Sequence, residues 1–147
     1  SKSRSLAGMR IGFAIASEEL IEALTRIKNS FNSYPIDRLA QMAGVAAIED
    51  VTYFNETCSS IIKARTFLEK ELSEIGFDTL PSGANFIFTK HRVFDAITIF
   101  SKLRSQGVLV RHFNNPERIS QYLRITIGSM EQMRKLVFLL KEIVGYI

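Results

Sequence analysis

The stretch GVLVRHFNNPERISQYLRITIG, Gly107 to Gly128, decides the reading of the fold. Val108 to His112 and Tyr122 to Ile127 are rich in apolar and β-branched residues, and Asn114-Asn115-Pro116 between them is a cluster of turn formers. The segment therefore reads as two strands joined by a loop. Upstream, Gly107 closes a helix over Val93 to Gln106, and Pro81-Ser82-Gly83-Ala84-Asn85 forms a turn that leads into a strand at Phe86 to Thr89. Downstream, Ser129 with Gln132 is a capping-box signature, followed by Met133, Leu136, Val137, Leu140 and Val144 at helical spacing. From Phe77 onward the chain thus predicts a small β-α-β-β-α unit of the α/β class.

Further out, Phe54, Cys58, Ile61, Arg65, Leu68, Leu72 and Ile75 recur every three or four residues, which predicts one long helix ended by Gly76. Ile36 to Ile48 is alanine-rich and helical, with Pro35 suited to its first position. Asn29 to Pro35 is a run of turn formers fit for a hinge or linker, and Tyr34 reads as a hinge packing residue. Leu20, Leu24, Ile27 and Phe31 mark one face of an earlier helix that Ser17 caps and Glu18 and Glu19 support at its positive end. Met9 to Ala16 alternates, setting Met9, Ile11, Phe13 and Ile15 against Arg10, Gly12, Ala14 and Ala16, and predicts a strand with one crowded and one open face. Three parts follow, 1–34, 35–76 and 77–147, without internal repeats.

Of 147 residues, 46% are apolar and 23% charged, which excludes disorder as the main state and supplies material for a sizeable core. No apolar run approaches the roughly 20 residues that span a bilayer. Ser1 to Arg10 is polar and basic with no signal core, so a soluble intracellular protein is expected. Cys58 is the single cysteine, which permits no intrachain disulfide and no thiol metal set and fits a reducing compartment. The 19 basic and 15 acidic residues are scattered, which argues against nucleic acid as a partner. The chain opens Ser1-Lys2-Ser3 without a methionine, as a processed product, a trimmed chain or a fragment would.

Two candidates carry chemistry. A hairpin centred near Glu117 and Arg118 brings Arg111 opposite Arg124. Directly opposed like charges destabilise a sheet, and an anion between two planar guanidinium forks relieves them; two solvated arginines on an exposed face is the alternative. Lys2 is either a solvated terminal lysine or an amine able to form a Schiff base with a carbonyl compound or pyridoxal phosphate. Elsewhere, His91 reads as solvated and His112 lies on the strand face opposite Arg111. Cys58 reads as a core or interface residue, and Asn85 suits a turn or a site equally.

Ser1-Lys2-Ser3-Arg4-Ser5-Leu6-Ala7-Gly8-Met9-Arg10-Ile11-Gly12 resembles the pyridoxal-phosphate lysine signature of the fold-type I aminotransferases, a serine, a lysine, a short polar run and then Leu-Ala-Gly-x-Arg-x-Gly. Several later stretches are similar, in the same order, to histidinol-phosphate aminotransferases. They are Asn29 to Pro35, Ala46 to Asp50, Ser82 to Phe86, Gly107 to Arg111 and Tyr122 to Gly128, so the resemblance covers essentially the whole chain. It implies that Lys2 is the catalytic residue that holds pyridoxal 5'-phosphate, and that Arg10 and Ser1 bind the cofactor phosphate. It implies further that Arg124 binds the substrate α-carboxylate and that Arg111 helps to bind the substrate phosphate or other polar groups.

The activity so implied is a ping-pong transfer of an amino group from glutamate to imidazole-acetol phosphate in histidine biosynthesis, without a metal, in a cytoplasmic homodimer. The resemblance also assigns 1–34 to the end of a large cofactor-binding domain, 35–76 to linker helices and 77–147 to a small domain. The family's aspartate at the pyridine nitrogen, its asparagine and tyrosine at the ring oxygen and its backbone phosphate cradle have no counterpart here. The chain is therefore expected to be a C-terminal portion that is inactive alone and self-associates. Threonine-phosphate decarboxylase and aromatic-amino-acid aminotransferases share the lysine motif and stay open as readings, as does a non-catalytic α/β dimerisation module with a vestigial lysine.

Overall fold

Alternation and helical spacing resolve into nine elements in the computed structural model, which describes residues 2–146. The helices are α1 (Glu18–Phe31), α2 (Arg38–Glu49), α3 (Val51–Glu74), α4 (Ala96–Ser105) and α5 (Met130–Ile143), and the strands are β1 (Phe77–Leu80), β2 (Phe86–His91), β3 (Arg111–His112) and β4 (Leu123–Thr126). The chain packs as two units, Ser1–Glu56 and Thr57–Ile147.

In the second unit the four strands form an antiparallel sheet in the order β1-β2-β4-β3. Leu68, Leu72, Ile87, Ile99, Leu103, Leu123 and Leu140 are fully buried between one sheet face and α3, α4 and α5. Each such side chain contributes about 1.5–3 kcal/mol relative to an exposed one, which gives this unit a core of its own. Helices on a single face leave the other face of the sheet open.

The expected β-α-β-β-α order gains a strand, β1. Four residues are too few for alternation to declare itself, and β1 is defined by its register with β2, Phe77 opposite His91 through Leu80 opposite Phe88. The strand expected over Val108 to His112 shrinks to Arg111 and His112. Gly107 at φ +76° and the bonds Val108 N–H to Leu103 O (2.9 Å) and Gly107 N–H to Arg104 O (3.1 Å) spend those residues on a Schellman cap of α4. The start of α4 moves from Val93 to Ala96, because Val93 and Phe94 both donate backbone N–H groups to His91 Nδ1 at 3.0 Å. Gly76, at φ +91°, ends α3 as expected, and Ser129 and Gln132 complete the capping box of α5.

The first unit departs further from its sequence pattern. Ala7–Met9 is a 3-10 turn and residues 11–17 have no regular structure, so the strand expected over Met9 to Ala16 is not formed. A strand needs a neighbour for its N–H and C=O groups, and this unit has no strand among the described residues. Helix α2 starts at Arg38 rather than Pro35, because the Asp37 carboxylate accepts from Ala40 N–H at 2.8 Å and makes the stronger cap. Ser17 sits at the N-cap of α1 without a side-chain hydrogen bond. Ala40 is the one buried residue among those described here, and the Leu20, Leu24, Ile27 and Phe31 stripe of α1 faces outward.

Candidate functional site

Arg111 and Arg124 are placed by strand alternation and register. Along β4, Leu123 and Ile125 point into the core while Arg124 and Thr126 point away from it. Arg111 of β3 is directly opposite Arg124, as the hairpin centred near Glu117 and Arg118 predicts. Across the sheet Phe88 is the other partner of Arg124, and Phe86 stands opposite Thr126. The loop between the arginines holds the 3-10 turn Glu117–Ile119 and a cis Asn115-Pro116 bond.

The open face is an aromatic bed under cations. The Arg124 Cζ lies 5.4 Å from the Phe86 ring centre and 5.9 Å from that of Phe113, while the Arg111 Cζ lies 5.4 Å from Phe113. Phe88 meets Phe113 edge-on at 6.0 Å and stacks on Tyr122 at 4.7 Å, and Lys90 Nζ is 5.5 Å from the Tyr122 ring. Cation–π contacts hold the guanidinium planes without consuming their N–H donors. Both arginines are exposed, and among the described residues neither pairs with a carboxylate. Two opposed forks of this kind suit a carboxylate or phosphate carried by a flat ligand. The aromatic members were not singled out from sequence, although the i, i+2 spacing of Phe86 and Phe88 is the signal that places them on one face.

Lys2 and Arg10 belong to the first unit. Lys2 is exposed, and its amine has no partner among the described residues; Ser1 lies outside them. Arg10 adopts φ +56° at the end of the 3-10 turn and spends one guanidinium hydrogen bond on Ala7 O (3.3 Å), and its other donors meet no acceptor among the described residues. An unengaged amine and a largely unengaged guanidinium on one short loop fit an aldehyde cofactor that bears a phosphate.

The remaining candidates are structural. His91 is half-buried rather than solvated: its Nε2–H donates to Ile75 O (3.1 Å), its Nδ1 accepts twice, and its ring meets Phe77 edge-on. His112 Nε2 bonds Ser120 O at 2.7 Å. Asn85 accepts from Ile127 N–H through its own carbonyl, and Cys58 is half-buried on α3. Arg65, in the seam of α3, donates to Ala84 O at 2.7 Å and pins the turn ahead of β2. Tyr34 is exposed. Two grooves of about 580 and 300 Å³ flank the Arg92–Asp78 ion pair, and neither is lined by the paired arginines.

Residues 1–139 match the family described as aminotransferase class I and II. A histidinol-phosphate aminotransferase of Acinetobacter baumannii is 57% identical over 142 residues, 97% of this chain and 39% of the relative. One of Dechloromonas aromatica is 54% identical over 145 residues, 99% of this chain and 40% of the relative. The crystal structure of histidinol-phosphate aminotransferase from Sinorhizobium meliloti in complex with pyridoxal-5'-phosphate is similar with a TM-score of 0.86 at 26% identity, over 99% of this chain and 39% of that one. The chain thus spans about two fifths of the length of the relatives it matches.

Proposed function

The chain belongs to the aminotransferase class I and II family, and on that premise we propose that it is the C-terminal portion of a histidinol-phosphate aminotransferase. The reaction is transfer of an amino group between glutamate and imidazole-acetol phosphate in histidine biosynthesis, with pyridoxal 5'-phosphate as cofactor. The observation that carries this reading is the direct opposition of Arg111 and Arg124 on an open aromatic face. An enzyme whose two substrates are a dicarboxylic amino acid and a flat phosphate ester needs such an adaptable anion site.

Pyridoxal phosphate, when bound, supplies an electron sink for the charge that develops at the substrate Cα. Lys2 holds it through the side-chain amine and, once released, takes the proton from the substrate Cα as general base. Arg10 and Ser1 bind the cofactor phosphate. Arg124 fixes the substrate α-carboxylate so that the Cα–H bond stays aligned, and Arg111 binds the phosphate of imidazole-acetol phosphate. Residues 1–34 serve as the end of the large cofactor-binding domain, 35–76 as linker helices and 77–147 as the small domain, in a cytoplasmic homodimer. Among the described residues no helix is long and apolar enough to cross a membrane, which is compatible with that location.

The test is an assay of the complete protein with glutamate and imidazole-acetol phosphate, alongside phosphothreonine and phenylalanine. Turnover of the first pair is the expected result. Decarboxylation of phosphothreonine, or a preference for phenylalanine, would move the protein to another member of the branch.

A further inference from the structure

The turn that carries Lys2 is held by a side chain with no role so far. Ser5 N–H donates to Lys2 O at 3.2 Å, which closes the turn, and Arg4 is its one half-buried residue. The Arg4 Nη1 donates to Ala47 O at 3.0 Å and, more weakly, to Asp50 O at 3.5 Å, while its Cζ lies 3.9 Å from the centre of the Phe54 ring. Ala47 is in the last turn of α2, where carbonyls run out of helical partners and the helix dipole favours a cation, and Asp50 is its C-cap, whose carbonyl also accepts from Phe54 N–H at 3.3 Å. The same Asp50 caps α3 by accepting Tyr53 N–H on its carboxylate at 3.0 Å, so the elbow between the helices is itself fixed. Ser5, at φ +56°, keeps a backbone conformation that L-residues rarely adopt, as a turn tied down from outside can.

We propose that Arg4 is the positioning residue for Lys2, with Phe54 as its platform: it ties the lysine turn to the α2–α3 elbow so that the amine is presented from a fixed backbone. The inference rests on the reading of Lys2 as the residue that holds the cofactor. The contact serves the turn rather than a core, since Lys2, Ser3 and Ser5 are all exposed. A planar guanidinium can stack on Phe54 and bond carbonyls at once, which a lysine ammonium cannot reproduce.

The test uses the complete protein, with pyridoxal phosphate and borohydride as the probe. Selective labelling of Lys2 over the other lysines is read by peptide mass, and amide hydrogen exchange is followed over residues 3–10. Arg4→Ala and Phe54→Leu are each expected to lower selective labelling about tenfold and to speed exchange in that segment, the double variant losing little more than either alone. Phe54→Tyr keeps the ring and is expected to restore both readouts, whereas Arg4→Lys is not. Unchanged labelling and exchange in Arg4→Ala would overturn the proposal. Failure of the unsubstituted protein to label Lys2 selectively would instead overturn the reading of Lys2, and the inference with it.

Discussion

Arg111 and Arg124 face one another, and among the described residues neither pairs with a carboxylate, so the site works against the sheet that carries it. Arg111→Gln is expected to raise stability to urea by about 0.2–1 kcal/mol at low salt while weakening anion binding. Added salt should shrink the gain, because screening already relieves the unsubstituted pair; an identical urea midpoint for both proteins at low salt would show that the guanidinium groups avoid each other. The pairing was legible because a loop's midpoint fixes which residues of two strands meet. The role of His91 was not, because its partner Ile75 lies sixteen residues upstream and meets it only once β1 has paired with β2. His91→Ala removes one donated and two accepted hydrogen bonds at a half-buried position and is expected to cost about 1–3 kcal/mol, measured by chemical denaturation of the chain.

At the scale of elements, caps and ties between helices govern the second unit. Ser129 accepts from Gln132 N–H at 3.2 Å and Gln132 Oε1 accepts from Ser129 N–H at 2.9 Å, a reciprocal pair readable from two residues three apart. Ser129→Ala is expected to destabilise α5 by about 1 kcal/mol, with Ser129→Asp restoring most of the loss in the same denaturation assay. The tie between α3 and α5 could not be read so. Lys141 Nζ donates to Glu71 at 2.8 Å across seventy residues of sequence. That hydrogen bond, with the nearby charges of Glu71 and Glu74, raises the Lys141 pKa above its ordinary 10.5, although partial burial works the other way. A lysine pKa raised by folding contributes stability that is complete below the ordinary value and fades as pH rises through the folded one. Stability is therefore expected to be insensitive to this pair between pH 7 and 10 and to fall above about 10.5, and Glu71→Gln should shrink that alkaline loss, the charge of Glu74 sustaining the remainder. An equal alkaline loss in the variant would assign it to another group.

For the molecule as a whole, the two units differ in what they bury. The second closes a core of aliphatic side chains, whereas the first leaves Phe13, Ile15, Phe31 and Leu39 largely exposed, at 80, 90, 86 and 74%. Large apolar side chains exposed to this degree favour association. The 147-residue chain alone is expected to elute from size exclusion as concentration-dependent oligomers and to give no turnover with glutamate and imidazole-acetol phosphate; a clean monomer at every concentration would refute the first expectation, and measurable transamination the second. By itself the sequence determined the helices, their stops at Gly76 and Gly107, the capping box, the hairpin register and the lysine signature, because each rests on residues within a few positions or on simple alternation. Only the tertiary structure decided that β1 pairs as an edge strand, that Met9 to Ala16 forms no strand, that aromatic rings carry the paired arginines and that Arg4 anchors the lysine turn. Those features depend on hydrogen-bonding and packing partners far away in the chain, which local pattern does not encode.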